Sequence, residues 1–432
     1  MRYAFLSILS IAATLLTAQT DYSATATAAE NIDKKVVAWR HHLHEHPELS
    51  NREFETAKYV EQHLRGLGME VRTGVAHTGV VGILKGGKPG GVVALRADMD
   101  ALPVTETVDL PYASKVRTTY LGKDVGVMHA CGHDTHVAML MGAAEILSAR
   151  RAEIPGTVVF IFQPAEEGAP KEEGGGAKMM VEEGVLSDYG VEVAFGIHIN
   201  SQTKVGHVNY KPGGAMAASN PFTIKVKGKQ AHGSAPWASI DPVVVSAQII
   251  MGLQTIVSRQ SELTKEPVVI SVGKIEGGVR NNIIPDEVTM IGTIRTLDRG
   301  MKADVFERIR NTAHHIAAAS GAEVEVDIQE GTLITYNDPE ITRQLMPTVV
   351  ATAGEDNVHL VRPITGAEDF SYYAAEVPSL FLFLGGMDPE MDPKDAPGHH
   401  TPNFRVDDRG MKLGVQLYVN VALDYLGAKT GK

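Results

Sequence analysis

Thr157-Val158-Val159-Phe160-Ile161-Phe162-Gln163-Pro164-Ala165-Glu166-Glu167 decides the fold. Six apolar or β-branched residues in a row, broken by Pro, describe a strand covered on both faces, as in the centre of a parallel sheet. Similar runs are Val92–Ala97, ending in Asp98-Met99-Asp100; Val193–His198, with a histidine at its carboxyl end; and Leu380–Leu384. Between them, Asp134–Arg151 has apolar residues at helical spacing (Val137, Leu140, Met141, Ala144, Leu147). Strand–helix alternation of this kind predicts an α/β catalytic domain with a mostly parallel sheet flanked by helices. Ligands then bind beyond the carboxyl ends of the strands, where Asp98, Asp100, Glu166, Glu167 and His198 all fall.

From Lys211-Pro212-Gly213-Gly214 the pattern changes to a strand (222–226), a helix (242–258), two strands (268–275 and 288–296), a helix (301–319) and a strand (322–330). This βαββαβ order is that of a ferredoxin-like α+β unit. The predicted organisation is a catalytic domain in two segments, residues 30–211 and 329–432, with an inserted α+β domain over 212–328. Upstream, 32–67 reads as helix interrupted at His46-Pro47-Glu48, and its histidine-rich segment Arg40–His46 as solvated helix face and turn.

Residues 1–29 have the pattern of a secretory signal peptide: Arg2, an apolar run from Ala4 to Ala18, then small residues from Ser23 to Ala29, with a second possible cut near Ala18. Export to the periplasm or medium is therefore expected. The 432 residues carry a formal charge of −12 with no basic block, which argues against nucleic acid or an anionic membrane surface as partner.

Chemistry concentrates in Met128-His129-Ala130-Cys131-Gly132-His133-Asp134-Thr135-His136, which holds the chain's single cysteine. A lone cysteine closes no internal disulfide, and among imidazoles it suits a thiolate metal ligand or a nucleophile. Its place before a helix start is expected to lower the thiol pKa. A Cys–His nucleophile would leave the Glu166-Glu167 pair without a role. In two-metal hydrolases, one carboxylate of such a pair binds metal and the other moves the proton of the attacking water. His198 and the loop His399-His400 supply further imidazoles, and spacing alone does not choose between the last two. Asp100 suits a partner that orients a ligand imidazole.

The strings RADMDALP, MHACGHDTH, QPAEEG, GIHIN, GKQAHGSAP, NNIIPDEV, GTIRT, TGAEDFSYY and HHTPNF, in this order, resemble the M20 metallopeptidase family. The resemblance is closest to its amidohydrolase branch of hippurate, N-acyl-amino-acid and auxin-conjugate hydrolases. It covers essentially everything after the leader. It implies two divalent metal ions per subunit (zinc, manganese, cobalt or nickel), held by Cys131, His133, Glu167, His198 and His400. Glu166 would be the general base, and His232 and Asn282 would meet the substrate or oxyanion. It also implies hydrolysis of a small N-acyl amino acid, with dipeptidase or carboxypeptidase activity as the alternative, in a homodimer or higher homo-oligomer. A noncatalytic binding relative is the remaining alternative, against which the retention of Glu166 speaks. Two features depart from the family: Trp237 replaces a common histidine, and the loop 168–176 carries the extra residues Pro170–Glu173.

Overall fold

The computed structural model describes residues 21–429. Its main sheet has eight strands, in the spatial order Glu70–Val75, Gly79–Lys85, Pro155–Gln163, Lys88–Asp98, Val193–Lys204, Ser379–Met387, Val208–Tyr210 and Val358–Leu360. The central four run parallel. Antiparallel pairings join them to the flanking strands, so the sheet is mixed rather than parallel throughout. Glu70–Val75, Val208–Tyr210 and Val358–Leu360 are short or of mixed polarity, whereas Gly79–Lys85 is apolar and buried over all but its last residue.

Strand alternation decides which helices cover which face. Val93, Leu95, Val158, Phe160 and Phe162 join Ile32, Val36, Val137, Leu140, Leu345 and Leu417 in one core. That face carries the helices Tyr22–Glu45, His133–Ala149, Pro339–Ala353 and Met411–Lys429. Ala94, Val159 and Ile161 face the opposite way and pack with Ala177, Met180, Phe370 and Tyr373, under Gly176–Glu182 and Ser371–Glu376.

A separate antiparallel sheet orders Val268–Gly277, Glu287–Thr296, Ala218–Lys227 and Glu323–Ile328. Its helices, Pro242–Thr255 and Arg299–Ala319, share a core of their own with it, including Phe222, Ile249, Met290 and Ile309. This is the ferredoxin-like order, and none of its strands pairs with the main sheet. By length and composition Pro242–Gln260 would also pass for a membrane span. In the fold its Val245, Ile249 and Leu253 are buried in this small core. The chain crosses between the two sheets through a two-stranded ribbon, Gly213–Met216 with Thr335–Asn337.

The first 20 residues of the expected leader lie outside the described residues. Residues 22–29 are the opening turns of a helix whose Thr25 and Ala29 are buried. Asp21 caps it by accepting from the amides of Ser23 and Ala24, and the Tyr22 hydroxyl bonds Asp424 at 2.5 Å. A cut after Ala28 or Ala29 would remove these contacts, whereas one near Ala18 would spare them.

Candidate dinuclear metal centre

The site forms where three strand ends, one helix start and one loop converge. Gly132 precedes the helix His133–Ala149 with φ of 93°. A Cβ there would meet Ile199 Cγ2 at 2.4 Å, so only glycine lets the Cys131-Gly132-His133 turn approach the strand Val193–Lys204. That approach brings Cys131 Sγ within 3.5 Å of His198 Nε2 and 3.3 Å of His400 Nε2. His400 Nε2 also lies 3.0 Å from Glu167 Oε1, and its backbone is left-handed at φ 62°.

The hydrogen bonds sort the imidazoles. His198 Nδ1 donates to the Ile199 carbonyl at 2.6 Å, leaving the Nε2 lone pair directed at the thiol. His133 Nδ1 donates to the Asp100 carbonyl at 2.9 Å, and its buried Nε2 has no partner. That nitrogen stands 3.9 Å from Glu166 Oε2 and 4.0 Å from Glu167 Oε1. His399 Nε2, by contrast, accepts from the Ser201 amide at 3.2 Å, and His136 Nε2 accepts from the Ile199 amide at 2.7 Å. Those two nitrogens are engaged, but His399 keeps Nδ1 3.6 Å from Cys131 Sγ and forms a ligand group with Cys131 and His198. What distinguishes His400 is its 3.0 Å approach to Glu167 as well as to the thiol. Burial and the neighbouring imidazoles push His399 down to about 2.

Cys131, Glu167 and His400 form one group, and His133, Glu166 and Glu167 another, with ligand atoms in each within 4.8 Å of one another. Glu167 belongs to both. An unpartnered buried imidazole nitrogen beside thiol and carboxylate donors fits divalent metal well. The expected lowering of the thiol pKa does not occur in the protein alone. Burial and the charges of Glu167, Glu166 and Asp98 push Cys131 well above its ordinary value, outweighing the helix start. A raised thiol pKa suits a group that ionises on binding a cation better than a free thiolate nucleophile.

Beneath the ligands lies a charged floor that the sequence reading missed. Arg96 is buried, 2.7 Å from Asp98, 2.9 Å from Glu368 and 3.0 Å from Asp369. Asp98 further accepts from His136 Nδ1 at 2.5 Å. Burial, then Glu368, Glu167 and Asp369, push the Glu166 carboxyl well above the usual carboxylate range. His133 is raised to about 10: burial opposes its charge, but Asp98, Asp100 and Glu167 outweigh it. Asp100 lies behind the site, accepting from the amides of Glu166 at 3.1 Å and Glu167 at 3.0 Å.

A cavity of about 670 Å³ opens over Cys131, Glu166, Glu167, His198 and His400, with Met216, Ile364 and Phe383 in its wall. The small unit adds Ser219, Pro221 and Arg295. Arg295 is half-buried, and burial lowers its pKa. No carboxylate stands within ion-pair distance of it among the described residues. The only sequence signal for it was the Arg within GTIRT. His232 and Asn282 are not brought here. Both are exposed, His232 in the small ribbon Ala231–His232 with Ile283–Ile284 and Asn282 just before its second strand, away from the cavity lining. Exposed Trp237 follows shortly after His232 in the chain.

Sulfur, imidazole and carboxylate donors beside a buried glutamate of raised proton affinity, at the carboxyl edge of an α/β sheet, define a metal-dependent hydrolase. Residues 94–424 match the model of peptidase family M20/M25/M40. A thermostable carboxypeptidase 2 of Saccharolobus solfataricus is 42% identical, over 92% of this chain and 96% of its own. The IAA-amino acid hydrolase ILR1-like 2 of Arabidopsis thaliana is 36% identical over 92% of this chain and 86% of its own. Among solved structures, the YXEP protein of Bacillus subtilis, a dinuclear metal binding peptidase from this family, aligns with a TM-score of 0.76 at 35% identity. That alignment covers 92% of this chain and 99% of the other. The chain belongs to the M20/M25/M40 peptidase family and is a metal-dependent hydrolase of peptide or related amide bonds.

Proposed function

We propose that this protein hydrolyses the amide bond of an N-acyl amino acid, using two divalent ions held by Cys131, His133, Glu167, His198 and His400. The observation that carries this is the placement of two imidazole Nε2 atoms. His133 Nε2 and His198 Nε2 are freed by hydrogen bonds at their other ring nitrogens and directed at the Cys131–Glu167 group beside Glu166. Bound there, the ions would polarise a carbonyl and acidify water.

Glu166 is the base. Its raised proton affinity suits a group that takes a proton from water and returns it to the departing amine. Arg295 is free to receive the carboxylate of the amino-acid half, and the Met216–Ile364–Phe383 wall offers apolar surface to the acyl half. A free carboxylate is common to acyl amino acids and to the C-terminal end of a peptide, and the carboxypeptidase relative keeps the second substrate class in view. His232 and Asn282 would act only after closure of the small unit or from a second copy of the chain in a homo-oligomer. Export is also proposed, on the N-terminal pattern, with processing near Ala18.

Steady-state hydrolysis of hippurate, acetyl amino acids and dipeptides, with and without chelator, tests the reading. Chelator-sensitive hydrolysis of the acyl amino acids above the dipeptides supports it. Preference for dipeptides moves the assignment to a peptidase, and no hydrolysis with any of the metals refutes it.

A further inference from the structure

A pair of reactive carboxylates needs its backbone held as firmly as its side chains. Ala165, Glu166 and Glu167 follow the strand Pro155–Gln163, and Ala165 takes a left-handed φ of 52°, unfavourable for any residue with a Cβ. Their three successive amides all donate to buried carboxylates. Glu166 and Glu167 use Asp100, and Ala165 donates to Glu53 Oε1 at 3.0 Å. The other Glu53 oxygen accepts from the Thr78 hydroxyl at 2.5 Å. Glu53 is fully buried and has no place in the cavity wall.

The residues just before it reach the same region. Ser50 Oγ donates to Asp100 at 2.7 Å, Asn51 Nδ2 to the Gly174 carbonyl at 2.8 Å, and Arg52 pairs with Glu173 at 2.6 Å. Four consecutive side chains from the helix break thus brace the catalytic turn and the extended 168–176 loop. A carboxylate buried close to Asp100 opposes folding unless its acceptors are used, and here both are.

We propose that Glu53 is a positioning residue: by accepting the Ala165 amide it holds the turn that aims Glu166, and so governs turnover without touching substrate or metal. This rests on Glu166 being the base proposed above. The test compares Glu53→Leu with Glu53→Gln, measuring kcat, KM, metal content and melting temperature. Glu53→Leu removes the acceptor and should lower kcat per metal-loaded chain by roughly 10- to 100-fold, as for a reacting group misplaced by about an ångström. KM and metal content should stay unchanged. Glu53→Gln keeps Oε1 for Ala165 and an amide for Thr78, and should recover most of the lost turnover. A purely structural role would move the melting temperature but not kcat of the folded, loaded enzyme.

Wild-type kcat in Glu53→Leu overturns the proposal, as does a Gln variant as impaired as the Leu one. If the Leu variant does not fold, Glu53→Asp, one methylene shorter, should still lower kcat, and an Asp variant with wild-type kcat overturns the proposal. Glu166→Gln is assayed in parallel. If it stays active, the base assignment itself fails; if it is inactive while Glu53→Leu is normal, only the positioning role fails.

Discussion

Arg295 gives a prediction whose size follows from its surroundings. Its guanidinium borders the cavity with no carboxylate at ion-pair distance among the described residues, so a substrate carboxylate would meet an unengaged donor. A charge-assisted hydrogen bond contributes about 1.5–3 kcal/mol. Because Arg295 is only half-buried, the lower end of that range applies, and at 1.4 kcal/mol per tenfold this is about 10- to 30-fold in kcat/KM. The assay is a cycle of two enzymes and two substrates: wild type and Arg295→Ala, each with an N-acyl amino acid and its C-terminal carboxamide. Wild type should prefer the free acid by that factor. The variant should lose the acid preference while hydrolysing the carboxamide about as well as wild type does. Full discrimination in the variant would refute carboxylate recognition by Arg295.

Glu166→Gln should leave fold and metal content intact and cut hydrolysis by roughly two to four powers of ten, read in kcat; near-normal turnover would remove Glu166 as base. His44 is raised to about 9: burial opposes its charge, but Asp134 and Glu106 hold it. A folded-state pKa above the unfolded one means this stabilisation is complete below about pH 6.5 and lost as pH rises through about 9, with a ceiling of about 3 kcal/mol. Urea midpoints should fall over that window and fall less in His44→Gln; equal slopes would contradict the ion pair. His232→Ala should depress turnover at unchanged metal content, and mixing it with Glu166→Gln should restore some activity if subunits share sites. Full activity in His232→Ala alone would dismiss its role.

The features legible in the sequence were those with a strong local signature. Continuous apolar runs marked the central strands, and the acids and histidine at their ends fell where such a sheet exposes ligands. The flanking strands Glu70–Val75 and Val358–Leu360 escaped because short, half-exposed strands carry little pattern. Arg96 was visible as a charge inside an apolar strand, yet its partners Glu368 and Asp369 lie more than 270 residues away and meet it only in the fold. What favours His400 is its approach to Glu167, which no spacing rule reveals. The segment Ser50–Glu53 fell within the stretch read as interrupted helix, and its bracing role escaped because the partners lie far away in sequence. Cys131 was expected as a ready thiolate, whereas the acids packed around it withhold that charge until a cation is present.

Metal stoichiometry, measured together with thiol accessibility on one preparation, tests the central claim most directly. The account predicts two divalent ions per chain, loss of hydrolysis when chelator strips them, and a Cys131 thiol that reacts with alkylating reagent only in the stripped protein. Glu167→Ala should fail to hold both ions. Undiminished hydrolysis by metal-free protein, with an acyl-thioester on Cys131 in the mass spectrum, would contradict it.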